Sequence, residues 1–304
     1  MLAEFSEKQR IPYPLLSDID SEVIRHYGIL NTEIEPGDAF LHGIPFPGAF
    51  VSDAEGVVVA KFFHDSYKKR DSPEALIDAA LGRIELAEDA PRAAGGDADV
   101  RITAALHGGR GTLRQGIRRQ VVVRFELGDG LHIYGEPVPE GMVATSVEVT
   151  GPPGLVVEEP ILPPTRPLRL ESAGVELAVW DGTVDIVVPV HPIGELVSEV
   201  RPLDAESTSI DVEVRYQACD DRSCLLPKTE RFTLEVPLDV VDIPALGLHT
   251  GHGQREGNFD AGPHFRRLFL RKVRRNPLGF LRFFAKSIRL ELAARRRSRG
   301  AGSR

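Results

Sequence analysis

Cysteine is nearly missing from this chain of 304 residues: Cys219 and Cys224 are the only two, five positions apart. A framework of several disulfides is therefore excluded. A zinc finger is disfavoured too, since a metal held by this pair needs two further ligands and no histidine pair stands at finger spacing. No stretch reaches the roughly 20 apolar residues that carry a helix across a bilayer. The opening from Met1 to Arg10 has neither the basic region nor the apolar stretch of an export signal. What is present is an ordinary composition for about two domains, with enough Gly and Pro for many turns and no internal repeat.

Charge is unevenly spread. The net charge is −8, but residues 264–304 hold fourteen Lys and Arg against the single acid Glu291, so this tail carries +13 and the preceding 263 residues −21. The tail is thus a separate object. Residues 1–87 read as alternating helices and strands. Residues 88–97, rich in Ala, Gly and Pro, read as a linker. Residues 98–243 read as all-β, with short alternating runs such as Val121 to Phe125, Val184 to Val190, Ile210 to Tyr216 and Phe232 to Val236 between Gly/Pro turns. The expected class is α+β and multidomain: an incomplete thioredoxin-like α/β domain, an immunoglobulin-like β-sandwich, and at 244–304 a loop and a basic amphipathic helix.

The two cysteines sit at the mouth of an expected hairpin. Val212, Val214, Tyr216 and Ala218 alternate with Glu213, Arg215, Gln217 and Cys219, which directs the Cys219 sulfur away from the buried side. A returning strand through Phe232, Leu234 and Val236 brings Cys224 opposite Cys219. The pair can join each other, a metal, or a partner's cysteine. Closing so short a loop removes little chain entropy, so an inert staple is a poor use of the pair, and thiol–disulfide exchange is the expected chemistry. Asp220 and Asp221 disfavour a thiolate at Cys219 while Arg222 favours one, which leaves reactivity open.

The run from Tyr216 to Cys219, followed by Cys224 and Pro227, together with Gly130 to Tyr134 and Asp185 to Val190, resembles the N-terminal domains of the DsbD thiol:disulfide interchange family. That resemblance spans nearly all of 98–243. It implies an immunoglobulin-like sandwich in the bacterial periplasm whose cysteine pair, here Cys219 and Cys224, passes electrons to thioredoxin-like partners. These include partners serving disulfide isomerisation and cytochrome c maturation. Tyr134 and Tyr216 match aromatic positions of the motif, and one or both are expected to shelter the sulfurs, with Arg222 nearby. Two departures stand out. Four residues instead of five separate the cysteines, and no clear aromatic cap is visible, although Val179 to Gly182 is placed as a neighbour.

A second resemblance covers residues 1–87. Ile11 to Asp18, Val23 to Gly28, and Gly43 to Asp53 with Gly56 follow the order of the AhpC/TSA redoxin family, which has a thioredoxin-like fold. Asp20 is expected to cap a helix ended by Gly28, Asp53 to Gly56 to turn one strand into the next, and Ser72 to Ile84 to form a closing helix. Pro47 aligns with the cis-proline that faces the active site in thioredoxin-like proteins. The nucleophilic cysteine of such domains has no counterpart in 1–87, which reads as a domain lacking its first strand, either by a misplaced start or as a remnant used for docking.

Pro277 to Arg297 forms an expected basic amphipathic helix, with Leu281, Phe284, Ile288 and Leu292 on one side. It suits either an anionic membrane surface or packing of its apolar face on the redoxin-like segment, with its arginines facing that segment's acidic surface. Nucleic acid is disfavoured by the charge of the body. His249, His252 and His264 read as solvated loop residues. The functional expectation is a thiol–disulfide oxidoreductase module needing no metal or organic cofactor, with thioredoxin-like partners and an extracytoplasmic location. The alternatives are a non-catalytic adaptor of a redox system, held near a membrane by the tail, and a peroxiredoxin-type antioxidant that requires an upstream cysteine.

Overall fold

Alternation of buried and exposed side chains dominates residues 92–237, and the strands it marks are present in a computed structural model of the protein. The structure describes residues 6, 7, 10–34, 43–64, 69–170, 175–197, 206–220 and 222–239, with 266, 270, 273, 274, 278 and 285. It divides into two compact units, Met1–Arg70 and Asp71–Arg304. The expected basic helix from Pro277 to Arg297 and the loop histidines lie outside the described residues, save for Leu278 and Ala285. No described helix is long and apolar enough to cross a membrane.

In the first unit, helix α1 (Glu22–His26) is followed by an antiparallel pair, β1 (Gly48–Ser52) and β2 (Val58–Phe63). The helix cap differs from expectation. Asp18, not Asp20, receives the free N–H groups, its two oxygens accepting from Glu22 at 3.0 Å and Ile24 at 2.8 Å. The Asp20 backbone carbonyl accepts from the Arg25 guanidinium. Gly28, at φ +66°, ends the helix as expected. The β1–β2 turn is held by Asp53, whose carboxylate accepts from the N–H groups of Glu55 and Val57. Phe46 donates its N–H to the Ile29 carbonyl, and the peptide bond into Pro47 is trans, so the cis-proline expected there is not formed.

The second unit begins earlier than the sequence suggests. After β3 (Arg70–Asp71) comes helix α2 (Pro73–Leu81), with Ser72 as its N-cap and Gly82 ending it in the left-handed region. Expected to close the first domain, α2 instead belongs to the second unit. Asp78 contacts the buried His107 at 2.6 Å, and the Ile84 carbonyl accepts from Arg124, itself paired with Asp185. Twelve strands follow: β4 (Arg92–Gly96), β5 (Val100–His107), β6 (Ile117–Leu127), β7 (His132–Tyr134), β8 (Ser146–Thr150), β9 (Leu155–Val157), β10 (Arg166–Leu170), β11 (Val175–Asp181), β12 (Thr183–Pro192), β13 (Ser207–Tyr216), β14 (Ala218–Cys219) and β15 (Lys228–Pro237).

The expected linker at 88–97 is contradicted, because its second half is β4, paired with β5 along its length. The small residues there are a packing requirement. A Cβ on Gly95 would lie 2.8 Å from the Phe232 ring, and one on Gly96 2.0 Å from the Val100 carbonyl oxygen. A loop-like composition here marks close approach of backbone to its neighbours.

Three sheets result, with orders β4-β5-β6-β12-β9, β15-β13-β8 and β10-β11-β7-β14. The main core lies between the first two: Val121, Val123 and Phe125 of β6 and Ile186 and Val188 of β12 meet Ile210, Val212 and Val214 of β13 and Phe232, Leu234 and Val236 of β15. Central strand β12 is buried nearly throughout, whereas β13 and β15 alternate, one face inward and one in solvent. The third sheet positions the cysteines.

Candidate functional site

The cysteine segment changes sheets. β13 ends at Tyr216, paired with Lys228 of β15, and two residues later Ala218 and Cys219 pair with Ile133 and His132 of β7. Alternation cannot carry through such a crossing, so Tyr216, Gln217, Ala218 and Cys219 are all buried. The expected outward-facing sulfur at 219 is therefore corrected: Cys219 is 1% exposed. Its placement opposite Cys224 holds, for the two form a bridge and are joined by a disulfide with Cα atoms 4.0 Å apart.

Around the bond the two sulfurs differ. Cys219 sits in an apolar group with Tyr134, Leu177 and Val179, against which Val138, Met142 and Leu168 pack. Cys224 is exposed at the end of a tight turn. There Asp220 accepts from the backbone N–H of Arg222 at 2.7 Å and of Ser223 at 2.6 Å, and its own N–H donates to the Ser223 carbonyl. Those backbone donors hold the Asp220 carboxyl below the usual carboxylate range. The Arg222 side chain is exposed beside it.

The two tyrosines part ways. Tyr134 is at the bond, with its Oη 3.8 Å from Cys224 Sγ and 3.2 Å from His132 Nε2. Burial pushes its phenol up, which keeps Oη protonated and able to donate. Tyr216 belongs to the main core, edge-on to Phe125 at 5.7 Å between ring centroids. Its Oη has no hydrogen-bond partner among the described residues, and burial is the main reason its phenol is pushed up to about 12. Pro47 belongs to the other compact unit.

Three features of the site escape the sequence reading. Gln217 is a buried clamp: Oε1 accepts from the Val143 N–H at 3.0 Å and Nε2 donates to the Leu225 carbonyl at 3.1 Å. It thereby ties the chain after Cys224 to the segment following β7. That segment is the second feature, since Val138 and Met142 pack on the cysteine group where no cap was expected. Their cover is aliphatic, so a search for aromatic residues passes over it. The third is His132, 3% exposed and two residues from Tyr134 on β7. The shared parity of positions 132 and 134 in a strand is a signal for it. Of the expected neighbours, Val179 packs against Cys219, while Trp180 turns into the main core and donates to the Pro163 carbonyl.

Residues 111–236 match the family model of the thiol:disulfide interchange protein DsbD, N-terminal, and residues 1–61 that of the AhpC/TSA family. No curated protein matches the chain. Among solved structures, the N-terminal periplasmic domain of ScsB from Proteus mirabilis is similar at 14% identity and a TM-score of 0.33, covering 49% of this chain and 51% of that one. This chain thus spans about half the length of that relative. The reduced DsbD N-terminal domain of Neisseria meningitidis is similar at 17% identity, covering 38% of this chain and 81% of that one, with a TM-score of 0.25. The complex of the DsbD and PilB N-terminal domains from the same organism gives 16% identity, 38% and 73% coverage and a TM-score of 0.26. Residues 111–236 are thus similar to the DsbD N-terminal family, and residues 1–61 to the AhpC/TSA family.

Proposed function

We propose that the protein exchanges its Cys219–Cys224 disulfide with thioredoxin-like partners in an extracytoplasmic compartment, in redox homeostasis or cytochrome c maturation. One observation carries this reading: Cys224 is an exposed residue while Cys219 is buried against apolar side chains. An incoming thiolate reaches Cys224 Sγ from solvent. Attack there breaks the S–S bond, forms a mixed disulfide at Cys224, and releases Cys219 as a thiolate that takes up a proton. A second thiolate of the donor then resolves the mixed disulfide, leaving two thiols here and a disulfide in the donor.

In the other half of the cycle, Cys224 as thiolate attacks an acceptor's disulfide. Cys219 then attacks Cys224 Sγ, expels the reduced acceptor and restores the starting bond. Two electrons pass in each half.

The test is a trap. Cys219→Ser removes the resolving thiol, so this variant should hold a thioredoxin-like protein as a stable mixed disulfide at Cys224, visible on a non-reducing gel, whereas Cys224→Ser should hold none. The pair should also titrate between roughly −180 and −270 mV in glutathione buffers. A potential below about −300 mV, with no trapped complex, would mark a structural staple and overturn the proposal.

A further inference from the structure

Exchange as written above leaves unassigned the group that takes the proton from Cys224 when it becomes a thiolate. The structure holds a titratable side chain placed for this. His132 Nε2 lies 3.2 Å from Tyr134 Oη, and Tyr134 Oη lies 3.8 Å from Cys224 Sγ, so a line of hydrogen-bonding atoms runs from the Cys224 sulfur into the protein. The two rings stand edge-on at 5.3 Å, both carried by β7 and both buried, at 3% and 2% exposure. Solvent therefore competes little with the contact between them.

Among the charged and titratable groups around His132, those in register with it or bonded to it stand on three elements. On β11 its register partner is Asp181, half exposed and paired with Arg166. On β14 its register partner is Cys219, followed by Asp220, whose carboxylate is engaged by the backbone of its own turn. On its own strand it faces Tyr134.

We infer that His132 is a positioning residue for the exchange, accepting through Tyr134 the proton that Cys224 must lose. This rests on the thiol–disulfide reading above. In the reduced protein the Cys224 S–H bond breaks as its proton moves to Tyr134 Oη, and the proton already on Oη moves to His132 Nε2. The products are a thiolate, a neutral phenol and an imidazolium, with no net loss of protons. The step requires Nε2 to be unprotonated beforehand, the tautomer with its proton on Nδ1. Burial opposes ionisation of the Tyr134 phenol, so it passes a proton on without remaining ionised. The thiolate then attacks the partner's disulfide, and the partner's departing sulfur takes a proton from solvent. When Cys219 closes the bond again, its own proton is released and the imidazolium is free to return to neutral.

The consequence is a coupled titration. With the relay intact, thiolate forms at Cys224 in two steps, one belonging to the imidazole and one to the thiol. The experiment uses the full chain carrying Cys219→Ser, in which Cys224 is the single thiol, and follows its alkylation by iodoacetamide with mass spectrometry over about pH 5 to 10, a range spanning imidazole and thiol ionisation. Two inflections are expected. His132→Gln keeps a hydrogen-bonding side chain without a titration near neutrality. Tyr134→Phe removes one oxygen and serves where the His132 variant does not fold. Each should leave a single inflection and lower the neutral-pH rate about tenfold, the change that one pKa unit makes in thiolate fraction. A single inflection in the Cys219→Ser parent overturns the inference. So does a variant profile that falls by the same factor at every pH, which is what a purely structural role would give. Alkylation needs no redox partner, so this result stands apart from the trapping experiment that tests exchange itself.

Discussion

Two regions of this chain carry family motifs of comparable legibility, yet they bury very different amounts of apolar surface. Among the described residues of Met1–Arg70, Ser21 is the only one that is buried, while Leu16 and Ile19 stand 89% and 87% exposed. In the second unit the apolar side chains of β5, β6, β12, β13 and β15 are almost wholly removed from water. Motif order and core formation are thus separate properties. The first is a matter of turn and cap residues at fixed offsets, the second of how many apolar faces find a partner. Since burial stabilises by roughly 25 cal/mol per Å² of apolar surface, the second unit dominates the stability of the described chain.

The sharpest way to break that comparison is to delete apolar volume from each region. Phe125→Ala removes a ring that is fully buried and packed on Tyr216, and should cost about 3–5 kcal/mol in denaturant unfolding. Leu16→Ala should change stability by less than about 0.5 kcal/mol. Equal losses would show that the first region buries Leu16 in solution. A smaller effect is expected at the junction between sheets. Gln217→Leu strands the Val143 N–H and the Leu225 carbonyl, costing about 1–3 kcal/mol and speeding reduction of the disulfide by dithiothreitol. Unchanged reduction kinetics would show that the clamp does not hold the chain over the bond.

The smallest effect concerns the segment whose composition reads as a linker. Asp97, at the turn after β4, is held down to about 2 from 3.8, first by its contact with Lys228 and then by the backbone N–H groups of Val100 and Asp99. A carboxyl whose folded value lies below its ordinary one stabilises the fold above the ordinary value. That contribution is lost as pH falls from about 4 towards 2. Because the pair is exposed and screened, Asp97→Asn should cost no more than about 1 kcal/mol at neutral pH, and should remove this part of the acid dependence of the melting temperature. An acid profile identical in both proteins would show that Asp97 is not tied to Lys228.

Much of the fold was legible from local pattern. The alternation at Ile210 to Tyr216 and Phe232 to Val236 marks strands that do pair, Tyr216 against Lys228, and Cys219 meets Cys224 as expected, though in a separate bridge and not in the β13–β15 register. Gly28 and the Asp53–Gly56 turn are likewise local devices acting where they stand. Less legible were the positions where one segment serves two neighbours. Ala94 to Gly96 resembles a flexible tether until Phe232 and Val100 are seen against it. The helix after Ser72 has the same caps whichever unit it packs on, and only His107 and Arg124 show which.

By itself, then, the sequence determined the chemistry available: two cysteines that can meet, a tyrosine and a histidine of equal parity on one strand, and strands whose period directs their apolar faces inward. Tertiary structure decided the asymmetry on which function turns. The chain leaves one sheet at Tyr216 and joins another at Ala218, and this crossing buries Cys219 while Cys224 stays in water. No period of two can express such a change of sheet, because it depends on a strand more than eighty residues earlier, β7, being in place to receive the sulfur.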